Sequence, residues 1–214
     1  TTGASAPAIH MSSTFVSDSV AGFSAHDLDD ESPFLYARWA NPTVNMLERK
    51  LAALQGTEDC LCTASGMAAA AAIMLTFLSK GDHLVISDVS YAGVAELARE
   101  TLPRFGVEVT TVDMSNLAAV AEAIRPTTKL VHIESPVNPI MRLTDIAAVS
   151  KLAHDAGALL SCDVTFGSPL GLDPNALGID LMMHSTTKYM GGHGDAVGGA
   201  VAGSADLVKQ MRQE

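Results

Sequence analysis

Six lysines occur in the 214-residue chain, and one of them stands where an amine can do chemistry. Lys50 and Lys151 fall on helical patterns, Lys80 at a helix end, Lys129 at a strand start and Lys209 in a polar tail. At such places a lysine is ordinarily a solvated surface charge. Lys188 instead follows an apolar run as His184-Ser185-Thr186-Thr187-Lys188-Tyr189, with Gly191, Gly192 and Gly194 close behind. An amine held there over a ligand is desolvated, which lowers its pKa and frees the nitrogen to attack a carbonyl. Ser185 and Thr187 flank it with hydroxyls able to bind phosphate oxygens. Asp163 sits near the end of a second apolar run, Ala158–Val164, where a carboxylate is costly without a cationic or donor partner. A salt bridge would satisfy it, and so would the protonated nitrogen of a pyridine ring.

Two further places suit a planar, phosphorylated ligand. Ser65-Gly66-Met67 opens an Ala-rich helical pattern after the run Cys60–Ala64. Small residues at a helix N-terminus present free amides and the positive dipole end to an anion. Many tight strand–helix turns carry glycine for steric reasons alone, so this signal is weak in isolation. Tyr91 follows the run His83–Asp88 and can stack on a ring or simply pack. Taken together, the four supply a Schiff-base lysine, a ring-nitrogen carboxylate, a phosphate cradle and a stacking aromatic. Those are the requirements of a pyridoxal 5'-phosphate (PLP) site. Rival chemistries lack their parts. Gly192-His193-Gly194 has no third glycine in dinucleotide spacing, no G-x-S-x-G elbow occurs, and His193 with Asp195 has no further metal ligand at suitable spacing.

The elements that must position these residues alternate. Apolar runs at Cys60–Ala64, His83–Asp88, Val107–Asp113, Lys129–Ser135, Ala158–Val164, Ile179–Ser185 and Ala196–Gly203 read as seven strands. Helical patterns fall at Met67–Leu78, Val94–Leu102, Ser115–Ile124 and Thr144–Ala156. Another starts at Asn41-Pro42-Thr43, with Val44, Leu47, Leu51 and Leu54 as its apolar face and Gly56 as its stop. Strands that are apolar throughout imply a sheet covered on both faces. The pattern predicts an α/β fold with a mostly parallel, doubly wound sheet of about seven strands, whose ligands bind outside the strands' carboxyl ends. The first forty residues, with serines and the acidic run Asp27 to Glu31, read as an extended arm.

The chain resembles the Cys/Met-metabolism (trans-sulfuration) PLP enzymes, the family of cystathionine γ-synthase, the cystathionine lyases, methionine γ-lyase and the O-acylhomoserine sulfhydrylases. The resemblance runs through Ser12–Phe15, Tyr36-Ala37-Arg38-Trp39-Ala40-Asn41-Pro42-Thr43, Ala64–Ala68, Glu134-Ser135-Pro136-Val137-Asn138-Pro139 and the segment His184–His193. It implies the aspartate-aminotransferase-like, fold type I large domain. It further implies that Lys188 bonds the cofactor, Asp163 pairs with its ring nitrogen and Tyr91 stacks on the ring and assists proton transfer. Gly66, Met67, Ser185 and Thr187 would hold the phosphate, Asn138 the ring hydroxyl, and Thr165 would complete the cofactor shell. Tyr36 and Arg38 would reach the phosphate of a neighbouring subunit, Arg38 through its bidentate fork. The implied assembly is a homotetramer of active dimers.

Several positions depart from the family pattern. Trp39, Ala40, Ala92 and Val164 replace commoner residues, and Gly93 stands where methionine γ-lyases typically carry cysteine. The expected organisation is an arm over 1–42 and a PLP-binding domain over 43–214, with the family's smaller C-terminal domain absent from this chain. The expected reaction is C–S cleavage of a sulfur amino acid by γ- or β-elimination. The alternatives are γ-replacement and a cofactor-binding fragment without turnover of its own. A formal charge of −11 argues against a nucleic-acid partner. No apolar run reaches the roughly 18 residues of a membrane span. Three cysteines, two of them only two residues apart, are no disulfide scaffold and suit a reducing, cytoplasmic setting.

Overall fold

The computed structural model describes residues 3–17 and 32–214, and the acidic run of the arm lies outside them. Helix α1 (Pro42–Gln55) leads into strand β1 (Asp59–Thr63), followed by α2 (Gly66–Phe77), β2 (His83–Ser87) and α3 (Ala92–Glu96). Then come β3 (Glu108–Val112), α4 (Leu117–Ala123), β4 (Thr128–Glu134), α5 (Ile146–Asp155) and β5 (Leu159–Asp163). Short α6 (Ser168–Gly171) and α7 (Pro174–Leu177) precede β6 (Leu181–His184), β7 (Gly199–Gly203) and α8 (Ala205–Gln213). The strands form one seven-stranded sheet in the order β1-β7-β6-β5-β4-β2-β3. Pairings from β3 through β6 are parallel, and β7 joins β6 and β1 antiparallel. This is the mostly parallel α/β sheet that the apolar strand runs predict.

Alternation along the strands divides the core in two. Val85, Val131, Leu160 and Met182 face one layer, with Leu51, Val120 and Val149 from α1, α4 and α5. Leu84, Leu130, Leu181 and Met183 face the other, with Ile73, Val94 and Val208 from α2, α3 and α8. Both faces are therefore covered, which is why the central strands carry so few polar residues. Those they do carry are partnered. His132 Nδ1 shares a 2.7 Å hydrogen bond with Ser161 Oγ, and His83 bonds Thr128 and Thr110 hydroxyls, each at 2.8 Å.

Three elements differ from the sequence reading. In α1 the residues turned inward are Glu48, Leu51, Ala52 and Gln55, whereas Val44, Leu47 and Leu54 are exposed. Specific polar partners decide this rotation. Glu48 accepts from the Cys62 amide at 2.8 Å, and Gln55 contacts His184. The helical pattern over Val94–Leu102 becomes α3, then a wider turn over Leu97–Thr101 and a tighter one over Leu102–Phe105, because Pro103 offers no amide to continue the ladder. Lys209 is not in a polar tail but on α8, capped by Ser204, which accepts from Leu207 N at 3.4 Å. Only Val208 and Met211 of that helix are buried, too few to give a visible period.

Arg212 fixes α8 to the body of the fold. Its fork meets both oxygens of the buried Glu48 at 3.1 Å and donates to the Cys60 carbonyl at 2.7 Å. Arg212→Ala would strand the Glu48 carboxylate. We expect it to cost about 2–4 kcal/mol in urea unfolding, with Glu48→Gln recovering part of the loss in the double variant.

Burial lowers the His132 pKa from 6.5 to about 4. The unfolded chain then binds a proton between those values that the folded chain does not, so this histidine's contribution is full above pH 6.5 and is lost as pH falls. Replacing it, His132→Asn, should shrink the stability difference between pH 7 and pH 5 by about 2 kcal/mol relative to the parent, measured by urea titration at both pH values.

Candidate functional site

The carboxyl ends of the parallel strands open onto a cavity of about 800 Å³. Nine of the eleven site residues expected from the sequence line it: Gly66, Met67, Tyr91, Asn138, Asp163, Thr165, Ser185, Thr187 and Lys188. Tyr36 and Arg38 do not. They lie on the arm, where Tyr36 bridges to Thr14 and the Arg38 guanidinium sits 5.1 Å over the Tyr36 ring. Within one chain the arm does not bring them to the cavity, and their expected place is on another subunit.

The floor is the central strand. Asp163 ends β5, fourth of the seven, in register with Glu134 on β4 and Met183 on β6. Its side chain is buried, and Oδ1 accepts from Thr165 N at 2.9 Å. Burial pushes the carboxyl above its usual range, with the Thr165 hydrogen bonds opposing. A cationic group brought into the cavity would reverse that shift. Thr165 also accepts from Ser185 N at 2.8 Å, so one side chain ties the end of β5 to the loop that carries Lys188. That loop is a tight turn, with Lys188 N donating to Ser185 O at 3.1 Å and Gly192 N to Lys188 O at 2.8 Å. Thr187 Oγ1 both donates to Gly198 O (3.1 Å) and accepts from Gly198 N (3.0 Å), pinning the loop to the approach to β7.

One wall is the start of α2, capped by Ser65, whose hydroxyl accepts from Ala68 N at 3.1 Å. A Cβ built on Gly66 would meet Ser185 Cβ at 2.8 Å and its Cα at 3.1 Å. The absent side chain therefore lets the helix N-terminus and the Ser185 loop meet, leaving amides and hydroxyls around one anion-sized space. Tyr91 stands at the N-terminal end of α3, half-exposed. A Cβ on Gly93 would lie 2.8 Å from Met67 Sδ and 3.0 Å from the Tyr91 ring, so a bare backbone there leaves the ring its place. Phe166 and Tyr189, in edge-to-face contact at 5.5 Å, line the same cavity.

The sequence reading passed over Glu134. Its Oε2 accepts from Tyr91 N at 2.8 Å and its Oε1 from Asn138 N at 3.0 Å. The signal was the one that marked Asp163, a carboxylate closing an apolar strand run. Arg142 was also passed over. It contacts Asp88 and lies 3.2 Å from Asp113, holding together the loops after β2 and β3.

These residues fit PLP. The cavity has a lysine, a buried carboxylate short of a cation, an aromatic ring and a cradle that one methyl group would fill. Gly66→Ala should lower stability by about 1–2 kcal/mol in urea unfolding, because Ser185 Cβ and Cα, which cannot rotate away as a flexible tip would, stand in the way. Gly171→Ala, where an added Cβ meets nothing within 4 Å, should change it by less than about 0.5 kcal/mol.

Known proteins resemble the chain closely. It is 48% identical over 187 residues to a canavanine gamma-lyase of Rhizobium leguminosarum bv. trifolii, covering 87% of this chain and 46% of that protein. An L-methionine gamma-lyase of Fusobacterium nucleatum subsp. polymorphum is 40% identical over 211 residues, 98% of this chain and 53% of that one. The crystal structure of metB from Corynebacterium glutamicum superposes with a TM-score of 0.90 at 36% identity, covering 99% of this chain and 53% of that chain. The chain thus spans about half the length of the relatives it matches. With the family model matching residues 1–214, the chain belongs to the Cys/Met metabolism PLP-dependent enzymes.

Proposed function

We propose that these residues form the cofactor-binding part of a PLP-dependent lyase that eliminates the γ- (or β-) substituent of an amino acid, breaking a C–S bond. The observation that carries this reading is the meeting of Lys188, Asp163, Tyr91 and the Gly66 cradle on one cavity. PLP, when bound, supplies an electron sink for charge developing at the substrate α-carbon. Lys188 would hold the cofactor aldehyde, and its free Nζ would take the substrate α-proton. Asp163 keeps a proton on the ring nitrogen. Tyr91 covers the ring face and assists proton transfer, Asn138 bonds the ring hydroxyl, and Thr165 orients the Asp163 carboxylate. Gly66, Met67, Ser185 and Thr187 take the phosphate, joined by Tyr36 and Arg38 of a second subunit.

A C–O bond is the second reading for the bond broken, because the canavanine gamma-lyase shares 48% identity with this chain. A γ-replacement reaction stands behind both, the O-succinylhomoserine sulfhydrylase of Pseudomonas aeruginosa being 39% identical. We assign the arm to residues 1–42 and the cofactor domain to 43–214, and binding of the substrate α-carboxylate to a C-terminal domain outside them.

The proposed assembly is a homotetramer of active dimers. Supporting it are the exposed apolar strip Val44, Leu47 and Leu54 on α1 and the still more exposed Ile9, Met11 and Val16 of the arm. No helix among the described residues is long and apolar enough to cross a membrane. Three unpaired cysteines support a cytoplasmic setting.

The test is a substrate panel of cystathionine, methionine, cysteine, canavanine and O-acylhomoserines, scored by keto-acid release. Elimination from one of these should fall by about 10³-fold or more in Lys188→Ala. A variant within about tenfold of the parent would remove Lys188 from the chemistry.

A further inference from the structure

Two carboxylates stand side by side on the cavity floor. Glu134 and Asp163 are register partners on adjacent parallel strands, and both are buried to within 7%. Like charges so placed raise each other's energy, so each needs its own means of support. Asp163 is held locally, by the Thr165 amide two residues along its own chain. Glu134 reaches in two directions. One oxygen accepts from Asn138 N, in the loop that follows its own strand. The other accepts from Tyr91 N, 43 residues away in the loop after β2. No arginine or lysine among the described residues forms an ion pair with it at the distances that define the other pairs.

We infer that Glu134 is a positioning residue of this site: a single buried carboxylate fixes the loop carrying Tyr91 against the loop carrying Asn138. It acts through their backbones, accepting from the Tyr91 and Asn138 amides. What the two loops jointly hold rests on the PLP reading above, whereas the strut itself does not. The geometry explains why a glutamate closes β4. An aspartate is one methylene shorter and cannot span both amides from the same Cα. A glutamine has one acceptor oxygen and would turn its NH2 toward one of the two donors. Amide bonds to a carboxylate are also stronger than neutral ones. Burial does push its carboxyl above the usual range, with the Asn138 and Tyr91 amides opposing and Asp163 adding to the rise. Fixing both loops before a ligand arrives removes an ordering cost from binding.

The experiment is amide hydrogen exchange, read residue by residue by NMR, on the protein with and without added PLP. In Glu134→Gln whichever of the Tyr91 and Asn138 amides faces the NH2 should exchange about tenfold faster or more without cofactor, while Val131 and Leu160 in the core change by less than about twofold. PLP should then dissociate about tenfold faster than from the parent. Parent-like protection at both loop amides, with the core controls intact, would overturn the inference. Should Glu134→Gln lose protection in the core as well, Glu134→Asp decides: loop amides released over a protected core support the strut, and loop amides still protected refute it. Failure of the parent to bind PLP at all, with the exchange pattern as expected, would count against the functional reading and leave the strut standing.

Discussion

Asp163 is a negative charge at the end of the central strand of a sheet whose two faces are covered, and the site is organised around the cost of keeping it there. Desolvation raises its pKa, and the Thr165 hydrogen bonds oppose that rise. The fold permits it because the strand ends in a cavity, which a cationic group can enter. Thr165 orients the carboxylate from below and, through the Ser185 amide, ties that orientation to the loop bearing Lys188. The acid and the amine are therefore set by one backbone-anchored connection. A ring held by both would have its nitrogen and its aldehyde addressed by adjacent strands, β5 and β6.

The remaining walls follow from how strands end. Parallel β2, β4, β5 and β6 all deliver their carboxyl ends to the same edge of the sheet, so the loops after them meet there by topology. Arg142 and Glu134 then fix those loops laterally, one outside the cavity and one within it. The antiparallel β7 returns beside β6, and the glycine-rich stretch before it lets the Lys188 turn close against it.

Much of this was legible in the sequence because it depends on local rules. Apolar runs without alternation marked the central strands, since burial on both faces leaves no polar side to mark. Asn41, Ser65 and Asp145 cap helices as their types require. Asp163 and Lys188 stood out because charged groups after apolar strands must answer for themselves. Glu134 carried the same mark, but its partners are backbone amides of distant loops, and amides leave no trace in residue identity. The inward face of α1 was misread because Glu48 and Gln55 owe their burial to Arg212, Cys62 and His184, contacts that periodicity does not see. Helix α8 buries too few residues to announce itself. Tyr36 and Arg38 were named from a motif alone, and the chain's own geometry keeps them on the arm, away from the cavity.

The most direct measurement is borohydride reduction of the protein mixed with PLP, followed by peptide mass mapping. The account requires one pyridoxyl group per chain, on the peptide containing Lys188, and its loss when that residue is replaced by alanine. Labelling spread over Lys50, Lys80, Lys151 and Lys209 with none at Lys188 would contradict it.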